Sequence, residues 1–373
     1  MSAEEELSSA PRGGPWRLRG RGLRLVAAAV AGALVGAAAV AWQQRAGPFA
    51  GDAEARLCWG SLSRQDLAPL MREPDGVQAV DVPVREDRVG HDGPTGSCHL
   101  TGLDGAAGEW AITVQVHRLD GRYGSGGRWA DEFLAGRLTP LGGGLSGMAS
   151  DGRAWLTFPD DCRAPDAGLA LGPTVVDIAD SRPISGDESD RRRRDALTRL
   201  LIKVTNKVTA ALGCSGRLAD PVPHMAAPPR YDTHERRDAL CGVSGVALAG
   251  GRKPTAYPIR TPGTWPVRTC DRDLSLGSPS LRLMTVEDPR LVRIFYGPEY
   301  VGARVDSGND SGFGGIGSNQ AWFRARCETG EALFLVRSNG TGHRPGDVRA
   351  LFPQYAEAEA DRIGCGPLRL TLP

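Results

Sequence analysis

The chain has 373 residues, with 45 basic and 44 acidic side chains and a formal net charge of +1. That length suits two domains. The charge balance argues against nucleic acid and against a polyanionic substrate.

Residues 1–24 form a basic segment in which Arg12, Arg17, Arg19, Arg21 and Arg24 precede an uncharged apolar run, residues 25–42. The run is long enough to span a bilayer as a helix. Arg45 is the only basic residue close behind it, so the positive-inside rule keeps the N-terminus cytoplasmic and exports everything after Trp42. Ala39-Val40-Ala41 offers signal peptidase a small-x-small site, and cleavage near Ala41 would yield a secreted protein instead. The long leader and the long apolar run favour the uncleaved anchor. No cysteine follows closely enough for a lipobox, since the first is Cys58. Gly32 and Gly36 give the spacing of a weak helix-pairing motif, the one basis for a homodimer. A short linker, residues 43–55, follows.

All eight cysteines fall in the exported part: Cys58, Cys98, Cys162, Cys214, Cys241, Cys270, Cys327 and Cys365. An even number in an oxidising compartment predicts disulfides. No two lie close enough for a Cys-x-x-Cys zinc half-site, so no metal is expected.

The first four cysteines and the last four mark a duplication. Each half opens on Leu-Cys with a glycine close behind, at Leu57-Cys58-Trp59-Gly60 and Leu240-Cys241-Gly242. The second cysteine precedes alternating, strand-like runs: residues 110–116 in the first half, residues 281–286 and 291–296 in the second. A glycine loop follows, then Ala-Trp (Ala154-Trp155 and Ala321-Trp322) and the third cysteine. Each half ends on a helical stretch closed by Gly-Cys, at Gly213-Cys214 and Gly364-Cys365.

The second glycine loop, residues 312–317, has the Gly-x-Gly-x-x-Gly spacing of a dinucleotide fingerprint. A true fingerprint follows a strand and opens a helix, whereas this one leads into a strand and is matched by residues 142–147 in the first half. We therefore expect turns with positive φ or close backbone approach, and no bound cofactor. Trp155 and Trp322 read as core anchors.

Leu197, Leu200, Leu201, Val204, Val208, Ala211 and Leu212 recur at helical spacing, and the basic run 191–194 ahead of them reads as a solvated first turn. Val348, Leu351, Phe352, Tyr355 and Ile363 give a weaker version of the same face, which Pro353 starts or kinks. A further helix is expected around residues 64–71. Its counterpart after Cys241 is missing, which makes the second half a trimmed copy. The Pro-rich stretch 217–235 is a linker, setting domains at 56–216 and 236–373. The predicted fold is α+β: a transmembrane helix, then two related domains, each an antiparallel sheet with a C-terminal helix.

Chain direction suggests which cysteines pair. A helix leaving Cys58 and a returning strand over residues 77–84 bring Cys98 back as the opening of the next strand. Cys162 closes a strand, residues 172–178 run back beside it, and the closing helix delivers Cys214. Sequence neighbours then pair in both halves.

No His-x-His, His-Glu-x-x-His or Gly-x-Ser-x-Gly is present, and the six histidines are scattered. The Leu-Cys-x-Gly opening, the stretch PLGGGLSGMASDGRAWL and the ending AALGCSG resemble a group of actinobacterial exported, membrane-anchored proteins of uncharacterised function. The resemblance covers both exported halves; it supports a class and implies no catalytic residues. The expected role is non-catalytic binding or scaffolding at the cell envelope, with an envelope ligand or protein as partner. The alternative is a cell-wall hydrolase or transferase using acidic residues.

Overall fold

Apolar residues at every second position favour strands, and each half is built on such runs. The computed structural model describes residues 57–71, 74–86, 93–103, 108–119, 129–159, 162, 172–181, 188–219, 225–248, 257–263, 266–272, 280–296, 302–308, 311–339 and 345–373. The apolar run 25–42, with Gly32, Gly36 and Ala41, and the linker 43–55 lie outside the described residues. No helix among the described residues is long and apolar enough to cross a membrane.

The first half forms a seven-stranded antiparallel sheet from β1 (Gln78–Glu86), β2 (Pro94–Leu103), β3 (Glu109–Arg118), β4 (Thr139–Gly142), β5 (Leu145–Ala149), β6 (Arg153–Thr157) and β7 (Thr174–Asp180). Their spatial order is β1-β2-β3-β7-β6-β5-β4. The second half forms an eight-stranded sheet from β8 (Pro258–Arg260), β9 (Val267–Arg272), β10 (Leu281–Val286), β11 (Ala303–Ser307), β12 (Gly312–Ile316), β13 (Gln320–Cys327), β14 (Gly330–Ser338) and β15 (Leu370–Thr371). Its order is β15-β11-β12-β13-β14-β10-β9-β8. With the edge strand β15 set aside, the two orders correspond strand for strand. Register agrees as well. Met148, Trp155, Asp177 and Gln115 lie side by side across β5, β6, β7 and β3. Gly315, Trp322, Leu335 and Met284 do the same across β12, β13, β14 and β10.

Among the described residues five α-helices complete the fold: α1 (Arg64–Leu67), α2 (Trp129–Phe133), α3 (Glu188–Ala211), α4 (Pro289–Val292) and α5 (Pro345–Arg362). The closing helices α3 and α5 end alike. Gly213 and Gly364 take positive φ (80° and 69°), and the next residue's N–H reaches back, Cys214 to Thr209 O at 3.0 Å and Cys365 to Ala360 O at 2.9 Å. This is the Schellman termination that a left-handed glycine permits.

The disulfides join Cys58 to Cys98, Cys162 to Cys214, Cys241 to Cys270 and Cys327 to Cys365. These are the pairs that chain direction gives, although Cys98 lies in the middle of β2 rather than opening it, opposite Asp81 of β1.

Several local expectations are corrected. Residues 291–296 are helical, not extended: Asp288 accepts the Arg290 N–H at 2.9 Å as N-cap of α4, Pro289 fills the first turn, and a 3₁₀ turn (Arg293–Tyr296) continues it. The two glycine loops are not equivalent. Gly142, Gly143 and Gly144 turn the β4–β5 hairpin at φ of 74°, 60° and 79°, whereas Gly312, Gly314 and Gly315 lie inside β12. There the need is space, since a Cβ on Gly314 would lie 2.2 Å from Trp322 O. Pro353 sits within α5, not at its start. The helix expected over residues 64–71 is shorter, ending at Leu67. The basic run 191–194 is not uniformly solvated: Arg194 is buried and donates to Asp195 and to Ala226 O, while Arg193 pairs with Asp180.

The sheets have different surroundings on their two faces. On one face of the second sheet, residues of α5 join Leu283, Phe323, Phe334 and Val336 in an apolar core. The opposite face meets the first half. Trp155, Met148, Phe133 and Trp129 of the first half share one cluster with Trp322, Leu335, Met284 and Phe295 of the second, and the Trp129 and Phe295 rings pack at a tilt of 58° with centroids 5.0 Å apart.

Candidate functional site

In the first half, the disulfide Cys58–Cys98 ties residues 57–71 to β2 and buries Leu57, Leu62, Leu67, Leu70 and Met71. The second half begins the same way, with Cys241 at φ 59° matching Cys58 at 47°. Only a single 3₁₀ turn, Leu240–Gly242, forms there, and no counterpart of α1 follows among the described residues. A cleft of about 900 Å³ opens beside this turn, against β9, β10 and the end of α5.

The outer wall of the cleft is the linker, residues 227–230, and its position is fixed from both sides. Arg194 of α3 donates to Ala226 O at 2.9 Å, and Asp232 accepts from Arg260 of β8 at 2.6 Å. The floor includes the Cys241–Cys270 disulfide.

The inner wall is polar, and its residues are held by one another. Glu359, on the buried face of α5, accepts from Arg268 Nη1 at 2.8 Å, from Thr285 Oγ1 at 2.8 Å, and from Arg362 Nε and Nη2 at 3.0 and 2.9 Å. Tyr355, one turn earlier, shares a 2.8 Å hydrogen bond with Thr285 Oγ1. Burial, reinforced by the Glu359 carboxylate, raises the Tyr355 phenol well above its ordinary value, so Tyr355 stays neutral. Glu287 lies 3.6 Å from Arg362 at the rim.

The repeat shows how unusual this wall is. The β2–β3 and β9–β10 registers place Arg268 and Thr285 where the first half has Gly96 and Val116. Counting back from Cys214 and Cys365 matches Tyr355 with Val204, Glu359 with Val208 and Arg362 with Ala211. Val116, Val204 and Val208 are buried. One copy of the fold keeps these positions apolar; the other holds a hydrogen-bonded ionic network there, beside an open cleft.

A second polar group lies between the halves. Arg282 is buried and donates to both oxygens of Asp271 at 2.6 and 2.8 Å and to Asp131 of α2 at 2.7 Å; Arg337 also pairs with Asp131. Asp271 further accepts the Gly136 N–H at 2.8 Å. These groups are enclosed and act as a fastening. On the first sheet, Asp177 accepts from Arg153 at 2.8 Å, its Oδ1 has no hydrogen-bond partner among the described residues, and burial pushes its carboxyl up to about 6.

Cys58, Asp81 and Cys98 also converge. The two sulfurs are bonded to each other, and Asp81 accepts the Trp59 N–H at 2.9 Å, so the trio is occupied by its own bonding. The eight cysteines expected as disulfides are thus structural, and the cleft residues were not singled out by sequence motif. The closing-helix comparison carried the signal: Glu359 interrupts an apolar face that Val208 continues. No protein-family model, no curated protein and no solved structure matches the chain.

Proposed function

We propose that the chain is a single-pass cell-envelope protein, anchored by residues 25–42, whose two disulfide-stapled domains bind an envelope ligand without turning it over, with the cleft beside α5 as the binding site. The observation that carries this reading is the replacement of Gly96, Val116, Val204 and Val208 by Arg268, Thr285, Tyr355 and Glu359 in the copy whose cleft is open. A buried ionic network offers little stability over an apolar core of the same shape, so its placement at a cleft fits ligand recognition better than folding. Binding rather than catalysis is supported by Glu359, which accepts four hydrogen bonds and has no free lone pair aimed at a substrate. Four disulfides suit an oxidising, extracytoplasmic compartment. The resemblance to actinobacterial exported proteins fits the same location.

Two measurements test this. A periplasmic reporter fused after Pro373 should be active and should fractionate with membranes; an active reporter released to the medium with Trp42 at its N-terminus would make residues 25–42 a cleaved signal instead. Full-length protein in detergent should co-sediment with purified cell-wall polymer and leave the polymer's length unchanged. Release of soluble polymer fragments would favour a hydrolase.

A further inference from the structure

We propose that the cleft selects an anionic ligand, whose carboxylate or phosphate is taken by Arg230, Arg268 and Arg362; this rests on the cleft being the binding site. Four arginines, Arg230, Arg260, Arg268 and Arg362, line it against two glutamates, Glu287 and Glu359. Arg260 is already committed to Asp232. Glu359 bonds both Arg268 and Arg362, and Glu287 lies 3.6 Å from Arg362, so the inner-wall charges balance and the excess positive charge of the cleft is Arg230. Arg230, exposed at the lip, makes no ion pair among the described residues.

Donor capacity leads to the same conclusion. A guanidinium has five N–H groups. Arg268 spends Nη1 on Glu359, and Arg362 spends Nε and Nη2. Nε and Nη2 of Arg268 and Nη1 of Arg362 donate to no described residue, and both side chains are about one-third exposed, at 32% and 39%. Glu359, at 1% exposure, lies behind them and holds Arg362 through two bonds and Arg268 through one, so both guanidinium groups are restrained before a ligand arrives. Guanidinium groups held this way suit planar carboxylates and phosphates, which they bind through paired hydrogen bonds. Tyr355 stays protonated and adds no competing negative charge. Pro228, Pro229 and Pro262 supply rigid apolar surface for the uncharged part of the ligand.

The test uses full-length protein in a neutral detergent and titration calorimetry with three probes: a galacturonate trimer for carboxylate, a glycerol-phosphate oligomer for phosphodiester, and chitotriose as a neutral sugar. At least one anionic probe should bind saturably, weaken with added salt, and bind about tenfold more weakly to Arg230→Glu, a loss of about 1.4 kcal/mol. Which one binds identifies the source of the charge. Arg230 is exposed and makes no ion pair among the described residues, so the variant should keep the wild-type melting temperature. Ala227→Trp, also exposed and lining the cleft, should block binding by bulk. If neither anionic probe binds, or if Arg230→Glu binds as tightly as wild type, the anion proposal is overturned. Binding of chitotriose that Ala227→Trp abolishes and Arg230→Glu leaves intact would overturn anion selection while leaving the cleft as the site. If cell-wall polymer still co-sediments with Ala227→Trp, the cleft itself is not the site.

Discussion

Arg282 of β10 donates to Asp131 of α2 at 2.7 Å across a sequence separation of 151, joining the two halves by a bond that neither solvent nor salt reaches. Both side chains are nearly inaccessible, at 1% and 4%. Asp131 also pairs with Arg337, while Asp271 holds the rest of the Arg282 guanidinium. Asp131→Ala leaves Arg282 and Arg337 short of a counter-charge in a closed site, and such a loss costs about 3–5 kcal/mol. The shared tryptophan cluster links the same surfaces, so wild type should unfold in one cooperative transition. We expect the variant to show a lower urea midpoint, with the two halves separating into distinct transitions. A variant that unfolds at the wild-type midpoint would mean that the halves are held by apolar contact alone.

The two glycine loops give a second contrast. Gly144 has φ of 79° and open space around its Cβ direction, so Gly144→Ala carries backbone strain only, about 1 kcal/mol. Gly314 has ordinary extended backbone but would place its Cβ 2.2 Å from Trp322 O and 2.9 Å from Phe323 Cα. Gly314→Ala must therefore push β12 from β13, an overpacking cost of about 1–3 kcal/mol. Differential scanning calorimetry should rank Gly314→Ala below Gly144→Ala; the reverse order would refute the spatial account of β12. We expect neither variant to have a nucleotide affinity to lose, because Gly312–Ile316 form β12 and lead into β13 rather than opening a helix.

The repeat was legible in the sequence because its markers are local. A cysteine, a glycine at a helix end and an Ala-Trp ahead of a strand each keep their meaning without knowledge of what lies across the sheet. The disulfide pairs followed from strand direction for the same reason. Residues 291–296 misled because Leu291, Val292, Ile294, Phe295 and Tyr296 make a short apolar, β-favouring run, while Asp288 and Pro289 start a helix just ahead of it. The glycines of β12 meet the close-approach alternative, but they lie in a strand rather than a loop, since a close approach to Trp322 leaves the same sequence trace as a turn.

The cleft was harder to see. Arg268, Thr285, Tyr355 and Glu359 come from two strands and a helix, and no spacing between them recurs as a motif. A whole-chain charge of +1 also conceals a local excess of arginine. Only when the halves are aligned from their cysteines does Glu359 stand where Val208 is buried. The linker is another case: proline density marks a connector, yet Arg194 and Arg260 turn residues 226–232 into a wall.

Asp177 should make stability depend on pH in a direction opposite to the usual carboxylate. Its carboxyl ordinarily ionises near 3.8, but burial delays ionisation in the folded protein to about 6. Between those values the folded state keeps a proton that the unfolded chain has lost. The contribution of Asp177 is thus most favourable below about pH 4 and is lost as pH rises to about 6, by roughly 3 kcal/mol. Asp177→Asn cannot ionise and keeps an oxygen for Arg153. Its stability relative to wild type should be near zero at pH 4 and should rise through pH 6. Urea midpoints measured for both proteins across pH 4–7 check this, and parallel curves would rule it out.

The network around Glu359 should be separable from the fold that carries it. Glu359→Val restores the residue type that the first half uses at Val208, but it leaves Arg268 without its partner and Thr285 with Tyr355 as its one remaining hydrogen-bond partner among the described residues. Hydrogen bonds to a charged group contribute about 1.5–3 kcal/mol each, and partial exposure of Arg268 and Arg362 lets water replace some of that loss. A net cost of about 2 kcal/mol is therefore expected for the single change. Adding Arg268→Met removes the stranded cation and extends the apolar surface as Gly96 and Val116 do in the first half. The double variant should recover most of the lost stability, giving a coupling of about 1–2 kcal/mol between the two positions. Its binding of the anionic probe should not return, because Arg268 is one of the proposed contacts. Chemical denaturation of the wild type, both single variants and the double variant completes the cycle. Additive costs, with no coupling, would mean that Glu359 does not hold Arg268 in solution and that the inner wall is not preorganised.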